Sequence, residues 1–132
     1  MSRGTRHVTE RCRPVTEIIQ LIGDKWTVLV VRSLHEAPRR FSEIRRDIPA
    51  VSQRMLTLTL RNLERNGLVK RTVTPSIPPR VDYELTRLGR SLEVPLSGLG
   101  EWAADNATAL DAARAKFDAQ AAQQKKRALI RA

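Results

Sequence analysis

The stretch that most limits what this chain can become is SQRMLTLTLRNLERNG, Ser52–Gly67. It has a marked start and a marked stop. Ser52 can cap a helix by accepting an otherwise orphaned backbone N–H. Gly67 stands where the chain leaves the helix through a positive φ. Between them Leu56, Leu60 and Leu63 recur at helical spacing and predict one buried stripe. At about 100° per residue, the opposite face carries Arg54, Leu58, Arg61 and Arg65, with Thr57 at its edge. A helix with one apolar stripe and three arginines opposite it is suited to packing on a core while its other face lies in a DNA major groove.

The 132 residues predict one domain with a modest single core. With 41% hydrophobic and 29% charged residues the chain should be globular rather than disordered. The net charge of +10 favours a polyanionic partner, nucleic acid before an acidic membrane surface. An aromatic content of 4% argues against a single-strand binder that relies on stacked bases. The one cysteine, Cys12, leaves no intrachain disulfide and no cysteine-cluster metal site. His7 and His35 stand alone, so neither a metal nor a cofactor is expected. No apolar run approaches the roughly 20 residues of a membrane span, and the N-terminus lacks the apolar core of a signal peptide. A cytoplasmic protein with no membrane partner is expected. There is no phosphate-cradling glycine loop, no metal-ligand spacing and no nucleophile elbow, so no enzyme is expected.

Taken in order, residues 1–13 read as a mobile basic arm with Arg3, Arg6, Arg11 and Arg13. Pro14 opens a helix, as proline can in a first turn. Ile18, Ile19, Leu21 and Ile22 form its apolar side, and Gly23 ends it. Asp24 caps a second helix, Lys25–Leu34, with Trp26, Leu29, Val30 and Leu34 as its stripe. Both helices are expected to belong to the core. Arg39–Phe41 reads as a short strand, and Ser42 as the cap of Glu43–Asp47. That helix turns Phe41, Ile44 and Ile48 inward and Arg45 and Arg46 outward. Pro49 and Ala50 turn the chain into the Ser52 helix, and the pair makes a helix-turn-helix.

After Gly67 the period changes to near-alternation in Leu68–Val73 and Val81–Leu85. The three prolines of the TPSIPPR loop between them cannot continue a ladder and stiffen the connection. Two strands around a rigid loop, directly after a basic helix, describe a wing flanked by Arg71 and Arg80. Thr86 caps a further helix with Leu88, Leu92, Leu96, Leu99 and Trp102 in helical spacing, interrupted or kinked at Pro95. From Ala103 the chain is rich in alanine and free of Gly and Pro. Such a helix is poorly stable alone and is expected to need a partner or to fray. Lys125, Lys126, Arg127 and Arg131 at its end are expected to be solvated. The organisation expected is an arm at 1–13, a DNA-binding domain at 14–102 and a helical dimerisation extension at 103–132. The fold class is mainly α with a small β wing.

LIGDKW at Leu21–Trp26, RFSEIRRDIPAVSQRMLTLTLRNLERNGLVKR at Arg40–Arg71 and PPRVDYELTRLGRSL at Pro78–Leu92 resemble the HxlR-type winged helix-turn-helix regulators. The pieces occur in the family's order and spacing, from about Cys12 to Trp102. The resemblance implies a bacterial transcription factor that binds operator DNA as a homodimer built on the N- and C-terminal helices. Two positions depart from the family pattern. Arg13 separates Cys12 from Pro14, whereas family members often carry the cysteine immediately before the proline, and in some it senses oxidants or electrophiles. Leu58 stands where the family tends to have a polar residue, which bears on the operator sequence rather than on DNA binding.

Over Arg39–Arg90 there are twelve Lys and Arg against five Asp and Glu, and this window holds both the helix-turn-helix and the wing. Within the central helix, early outward residues are expected to reach bases and later ones phosphates. Gln53, Arg54, Thr57 and Leu58 are the base-reading candidates: arginine can pair with guanine, glutamine with adenine, and Leu58 can meet a thymine methyl. Leu58 reads equally well as an ordinary exposed leucine or a contact with the preceding helix. For Arg61 and Arg65 phosphate is favoured over base, and an intrahelical ion pair is the plainer reading of Arg65. Ser42, Arg45, Arg46 and Ser52 are expected near the backbone, with Arg71 and Arg80 on the wing and Arg80 at the minor groove or its phosphates. Two such helices would enter successive major grooves about 34 Å apart on a pseudo-palindrome. Cys12 has two readings. Arg11, Arg13 and the following helix favour a thiolate near the dimer interface, open to oxidants or electrophiles; the plainer reading is an inert thiol. Trp26, Tyr83 and Trp102 could line a pocket for a small effector, although such aromatics are more often core anchors. The alternative to a specific regulator is a sequence-independent nucleoid-type or RNA-binding protein.

Overall fold

The computed structural model describes residues 13–131; Cys12 lies outside them, as does the arm expected at the N-terminus apart from Arg13. The chain divides into two compact units, one ending at Glu93 and one beginning at Val94.

In the first unit, residues 13–22 are helical (α1). The Gly23 N–H closes this helix on the Ile19 carbonyl at 2.7 Å. Asp24 then caps α2, Lys25–Glu36, its Oδ1 accepting from the Trp26 N–H at 3.0 Å. The buried side of α2 is Thr27, Val30, Val31 and Leu34. That stripe is rotated from the expected one: Leu29 is 38% exposed and Trp26 half-buried. The face centred on Val30 wins because its β-branched and small side chains pack against α4, while a single Thr is tolerated inside the helix. The expectation that α1 belongs to the core also fails within one chain. Val15 is 52% and Ile19 56% exposed, and Ile18, Leu21 and Ile22 are only half-buried.

Helix α3 is Phe41–Asp47, and its N-cap is Arg40, not Ser42. The Glu43 carboxylate accepts from the Arg40 backbone N–H at 3.1 Å, so the cap is supplied from inside the helix and Ser42 falls in the first turn. The strand expected at Arg39–Phe41 shrinks to one rung for the same reason, since Phe41 is already helical. Arg39 pairs with Tyr83 through two backbone bonds of 2.9 Å. Ile44 and Ile48 are buried as expected.

Helix α4 is Gln53–Arg65, with Ser52 Oγ accepting from the Met55 N–H at 3.1 Å. Gly67 takes φ 73° just past its end. Strands β1, Val69–Thr74, and β2, Arg80–Leu85, form an antiparallel hairpin from Val69↔Leu85 to Thr74↔Arg80. Thr86 caps α5, Arg87–Ser91, by accepting from the Gly89 N–H at 3.1 Å, and donates to the Gly67 carbonyl at 2.6 Å. The core is built from Val30, Leu34, Ile44, Val51, Leu56, Leu60 and Leu63, all of them closed to solvent. It is a three-helix core of α2, α3 and α4 with the root of the hairpin, Leu68, Val69 and Leu85, sealing one side.

The chain breaks between α5 and α6 at Leu92, one turn before Pro95, where the interruption had been expected. A proline ring clashes with the carbonyl four residues earlier, here that of Ser91, and tolerates only the first turn of a helix. The break therefore precedes the proline, and α6 runs unbroken from Glu93 to Arg131. The second unit is this helix alone, with none of its residues buried.

Candidate nucleic-acid interface

The interface is built on the cap and stripe of α4. Burial of Leu56, Thr59, Leu60 and Leu63 fixes the roll of the helix on the core. The roll turns Gln53, Arg54, Thr57, Leu58, Arg61 and Arg65 to solvent. Leu58 is 45% exposed, so it does not pack fully on its neighbours. The Thr57 hydroxyl donates to the Gln53 carbonyl at 2.8 Å, which leaves its lone pairs and methyl group outward. The oxygen of Ser52 is engaged as the helix cap, so its first duty is to fix where α4 begins.

Three grooves, the first two sharing Phe41 and Ser42, hold most of the sequence-predicted residues. One, of about 520 Å³, is lined by Phe41, Ser42, Arg45, Arg46, Pro49 and Gln53, and joins the outer side of α3 to the start of α4. A second, of about 700 Å³, runs from Arg40 and Ser42 to Thr74, Ser76 and Arg80 at the tip of the hairpin. A third, of about 600 Å³, lies between α4 and the hairpin and is lined by Thr57, Leu60, Arg61, Glu64, Arg71 and Tyr83. Arg54, Leu58 and Arg65 line none of these; they stand on the exposed ridge of α4.

The charges on this surface fall into two groups. Arg45, Arg46, Arg54, Arg61, Arg65 and Arg71 have no ion-pair or hydrogen-bond partner among the described residues. The intrahelical ion pair considered for Arg65 is absent there. Guanidiniums without an internal partner repel one another and favour an external anion. Arg39 and Arg80 are engaged. Arg80 Nε lies 3.0 Å from Asp82 Oδ2, at the root of the wing tip. Arg39 Nε donates to the Ser33 carbonyl at 2.9 Å and lies 3.3 Å from Asp47 Oδ2, and its Nη2 reaches Glu36 at 3.1 Å. Together with its backbone rung to Tyr83, Arg39 ties the wing to α2 and α3. Sequence reading missed Arg39, and also missed that Tyr83 belongs to the groove beside α4. Nothing local marks either residue, because both act through contacts distant in sequence.

The three aromatics proposed as a pocket occupy different settings. Tyr83 lines the third groove, Trp26 lies half-buried with Lys25 Nζ 4.5 Å from its ring, and Trp102 is an exposed residue of α6. Among the described residues no group of three or more His, Cys, Asp or Glu could hold a metal ion. No described helix is long and apolar enough to cross a membrane.

A short helix and a longer basic helix joined by a turn, followed by a two-stranded hairpin tied back to the helices, define a winged helix-turn-helix protein. A family model for the HxlR-like helix-turn-helix matches residues 21–111. An HTH-type transcriptional regulator of Methanothermobacter thermautotrophicus is 53% identical over 81 residues, which is 61% of this chain and 62% of that relative's length. The HTH-type transcriptional regulator YybR of Bacillus subtilis is 41% identical over 101 residues, 76% of this chain and 81% of the relative. Among solved structures, the reduced form of the transcriptional regulator YodB from B. subtilis superposes with a TM-score of 0.66 at 37% identity, covering 70% of this chain and 90% of that one. The diamide-treated and quinone-bound forms of YodB match as well. The chain belongs to the HxlR-like helix-turn-helix family of transcriptional regulators.

Proposed function

We propose that this regulator recognises a pseudo-palindromic operator in duplex DNA as a homodimer, each protomer placing α4 in a major groove. The observation that carries this reading is the set of six arginines without a partner among the described residues, three of them, Arg54, Arg61 and Arg65, on the face of α4 that its buried stripe turns outward. In this reading Gln53, Arg54, Thr57 and Leu58 meet base edges. Arg61, Arg65, Arg45, Arg46 and Ser42 hold phosphates, and Ser52 sets the start of α4. Arg71 and Arg80 serve the wing, Arg80 from its pair with Asp82. Burial of the exposed apolar side of α1 and of α6 supplies the dimer interface, with the extension from residue 103 onward as its C-terminal part.

The reading is tested by titrating the protein into its own upstream intergenic DNA and into a length-matched random duplex. Preferential binding to the first supports it. Equal binding to both, persisting across genomic fragments, would replace it with a sequence-independent nucleoid-type or RNA-binding role.

A thiol switch at Cys12 is the reading of regulation favoured by two observations. Arg11 and Arg13 flank the cysteine, and YodB has been captured both diamide-treated and quinone-bound. Diamide or a quinone should abolish specific binding of the wild type and spare Cys12→Ser. If both proteins keep binding, the switch is discarded, and regulation by a small ligand becomes the reading to pursue.

A further inference from the structure

The hairpin of this basic protein ends in a tip without charge. The register of β1 and β2 closes at Thr74↔Arg80, which leaves the five residues 75–79 as the tip and Ile77 as its middle residue. Ile77 is wholly exposed, so no described residue packs on it. Pro75, Pro78 and Pro79 beside it are exposed as well. A single exposed apolar side chain is ordinary on a protein surface. This one is held out on a stiff support. Each proline fixes its own φ, and the Ser76 hydroxyl donates to the Pro78 carbonyl at 2.8 Å, bridging the two neighbours of Ile77. A loop that only joined two strands would be polar and built from turn residues such as Gly, Asn or Asp.

The tip also stands away from the core. Only Val69 of β1 is buried, and the strand is exposed from there to Thr74, a reach of roughly 16 Å at about 3.3 Å per residue. The 700 Å³ groove at its end is lined by Arg40 and Ser42 from the start of α3 and by Thr74, Ser76 and Arg80 from the hairpin. Hydroxyls and guanidiniums on both sides suit a sugar-phosphate strand. Ile77 is not among the groove's lining residues and projects beyond it. With α4 in a major groove, one such strand separates it from the adjacent minor groove, half a helical turn or roughly 17 Å along the axis. A wing that straddles this strand sets its tip at the minor groove.

We infer that Ile77 is an apolar wedge that enters the minor groove beside each half-site and opens a base step there. Apolar side chains inserted in this way partly unstack the step and kink the duplex by roughly 20–90° toward the major groove. Isoleucine has no donor or acceptor with which to read a base edge. Its selectivity is for a step that opens cheaply, a pyrimidine–purine step such as TA or CA. The wedge therefore adds specificity at base pairs that α4 does not touch, and it does so without charge. The inference rests on the operator binding proposed above and assigns the wing tip a contact that its arginines cannot supply.

The test compares wild type, Ile77→Ala and Ile77→Met in the full-length chain on its own upstream intergenic duplex, with a length-matched random duplex as control. Affinity is read by fluorescence anisotropy over a range of salt, and bending by the gel mobility of circularly permuted fragments. Ile77→Ala should keep the wild-type Tm, because it removes no internal contact. It should bind the upstream duplex about tenfold more weakly and bend it less. Its salt slope should match wild type, because no charge is lost. Ile77→Met keeps an apolar wedge and should bind and bend nearly as wild type does. An unbent wild-type complex overturns the inference and leaves the regulator standing. So does an Ile77→Ala chain that binds and bends as wild type does, or one that binds more weakly with the bend intact. If that chain binds DNA normally but loses its dimer in sedimentation, the tip is a protein contact and the wedge is wrong. A wild type that prefers neither duplex, here or across genomic fragments, overturns the operator reading and the wedge with it.

Discussion

The guanidinium of Arg39 serves a different purpose from those on α4. It is only 21% exposed and shares its donors between the Ser33 carbonyl and two carboxylates, while its backbone holds the wing through Tyr83. Arg39→Ala leaves a carbonyl and Asp47 without that partner and loosens the wing. The expected cost is about 1–3 kcal/mol of stability, read by urea denaturation, together with weaker DNA binding. Arg39→Lys should recover only part of it, because an ammonium cannot reproduce the fork. Arg54 and Arg65 have no partner among the described residues, and their loss should leave stability unchanged within about 0.5 kcal/mol. They part company on DNA. Arg54→Ala should cost about 1–3 kcal/mol on the operator and relax preference at one base pair of each half-site. Arg65→Ala should weaken specific and random duplexes alike. Binding measured on a panel of single-base operator variants separates the two.

At the scale of elements, α5 depends on one glycine. A Cβ on Gly89 would overlap the Leu68 carbonyl oxygen, which is itself held by the Thr86 N–H at 3.0 Å. That collision is with backbone at the root of the wing and has no flexible side chain to yield. Gly89→Ala should therefore destabilise by about 1–3 kcal/mol or more despite its better helix propensity, seen as a lowered Tm. Gly67→Ala meets open space and should cost only about 1 kcal/mol, through its φ of 73°. The elements were legible in the sequence where one local signal decided them. Ser52, Leu56, Leu60, Leu63 and Gly67 specify α4 within one stretch, and the hairpin is announced by its alternation and prolines. They were less legible where a choice depended on a distant neighbour. The roll of α2 is decided by what it packs against, so Val31 and Thr27 displaced Trp26 and Leu29. The cap of α3 came from Glu43 reaching back to Arg40, which bypassed Ser42. The outward arginines of the interface were readable because helical phase alone exposes them; the anchoring of the wing by Arg39 was not.

At the scale of the whole molecule, the net charge of +10 and the six unpaired arginines make salt a direct probe of the interface. Each phosphate neutralised releases a condensed counterion, and log affinity falls with log salt by about 0.9 per contact. In a dimer Arg65 counts twice, so Arg65→Ala should shallow the slope by about 2. Oligomeric state is the remaining question at this scale, and α1 is where a single substitution asks it. Val15 and Ile19 are more than half exposed on a helix whose other apolar residues are only partly covered. An isolated domain gains nothing by leaving that side wet, whereas the second copy proposed above would bury it. Ile19→Asp keeps the exposed position compatible with a folded monomer but places an unpaired charge in the interface, where it must be desolvated. The variant should retain the wild-type Tm of its helix-turn-helix core at low concentration and sediment as a monomer. Without the second half-site held at high effective concentration, its operator affinity should fall by at least about a hundredfold. Its affinity for a single half-site should stay that of the wild-type chain. A variant that stays dimeric and binds the full operator normally would show that α1 is not at the interface, and would leave α6 to hold the two copies together.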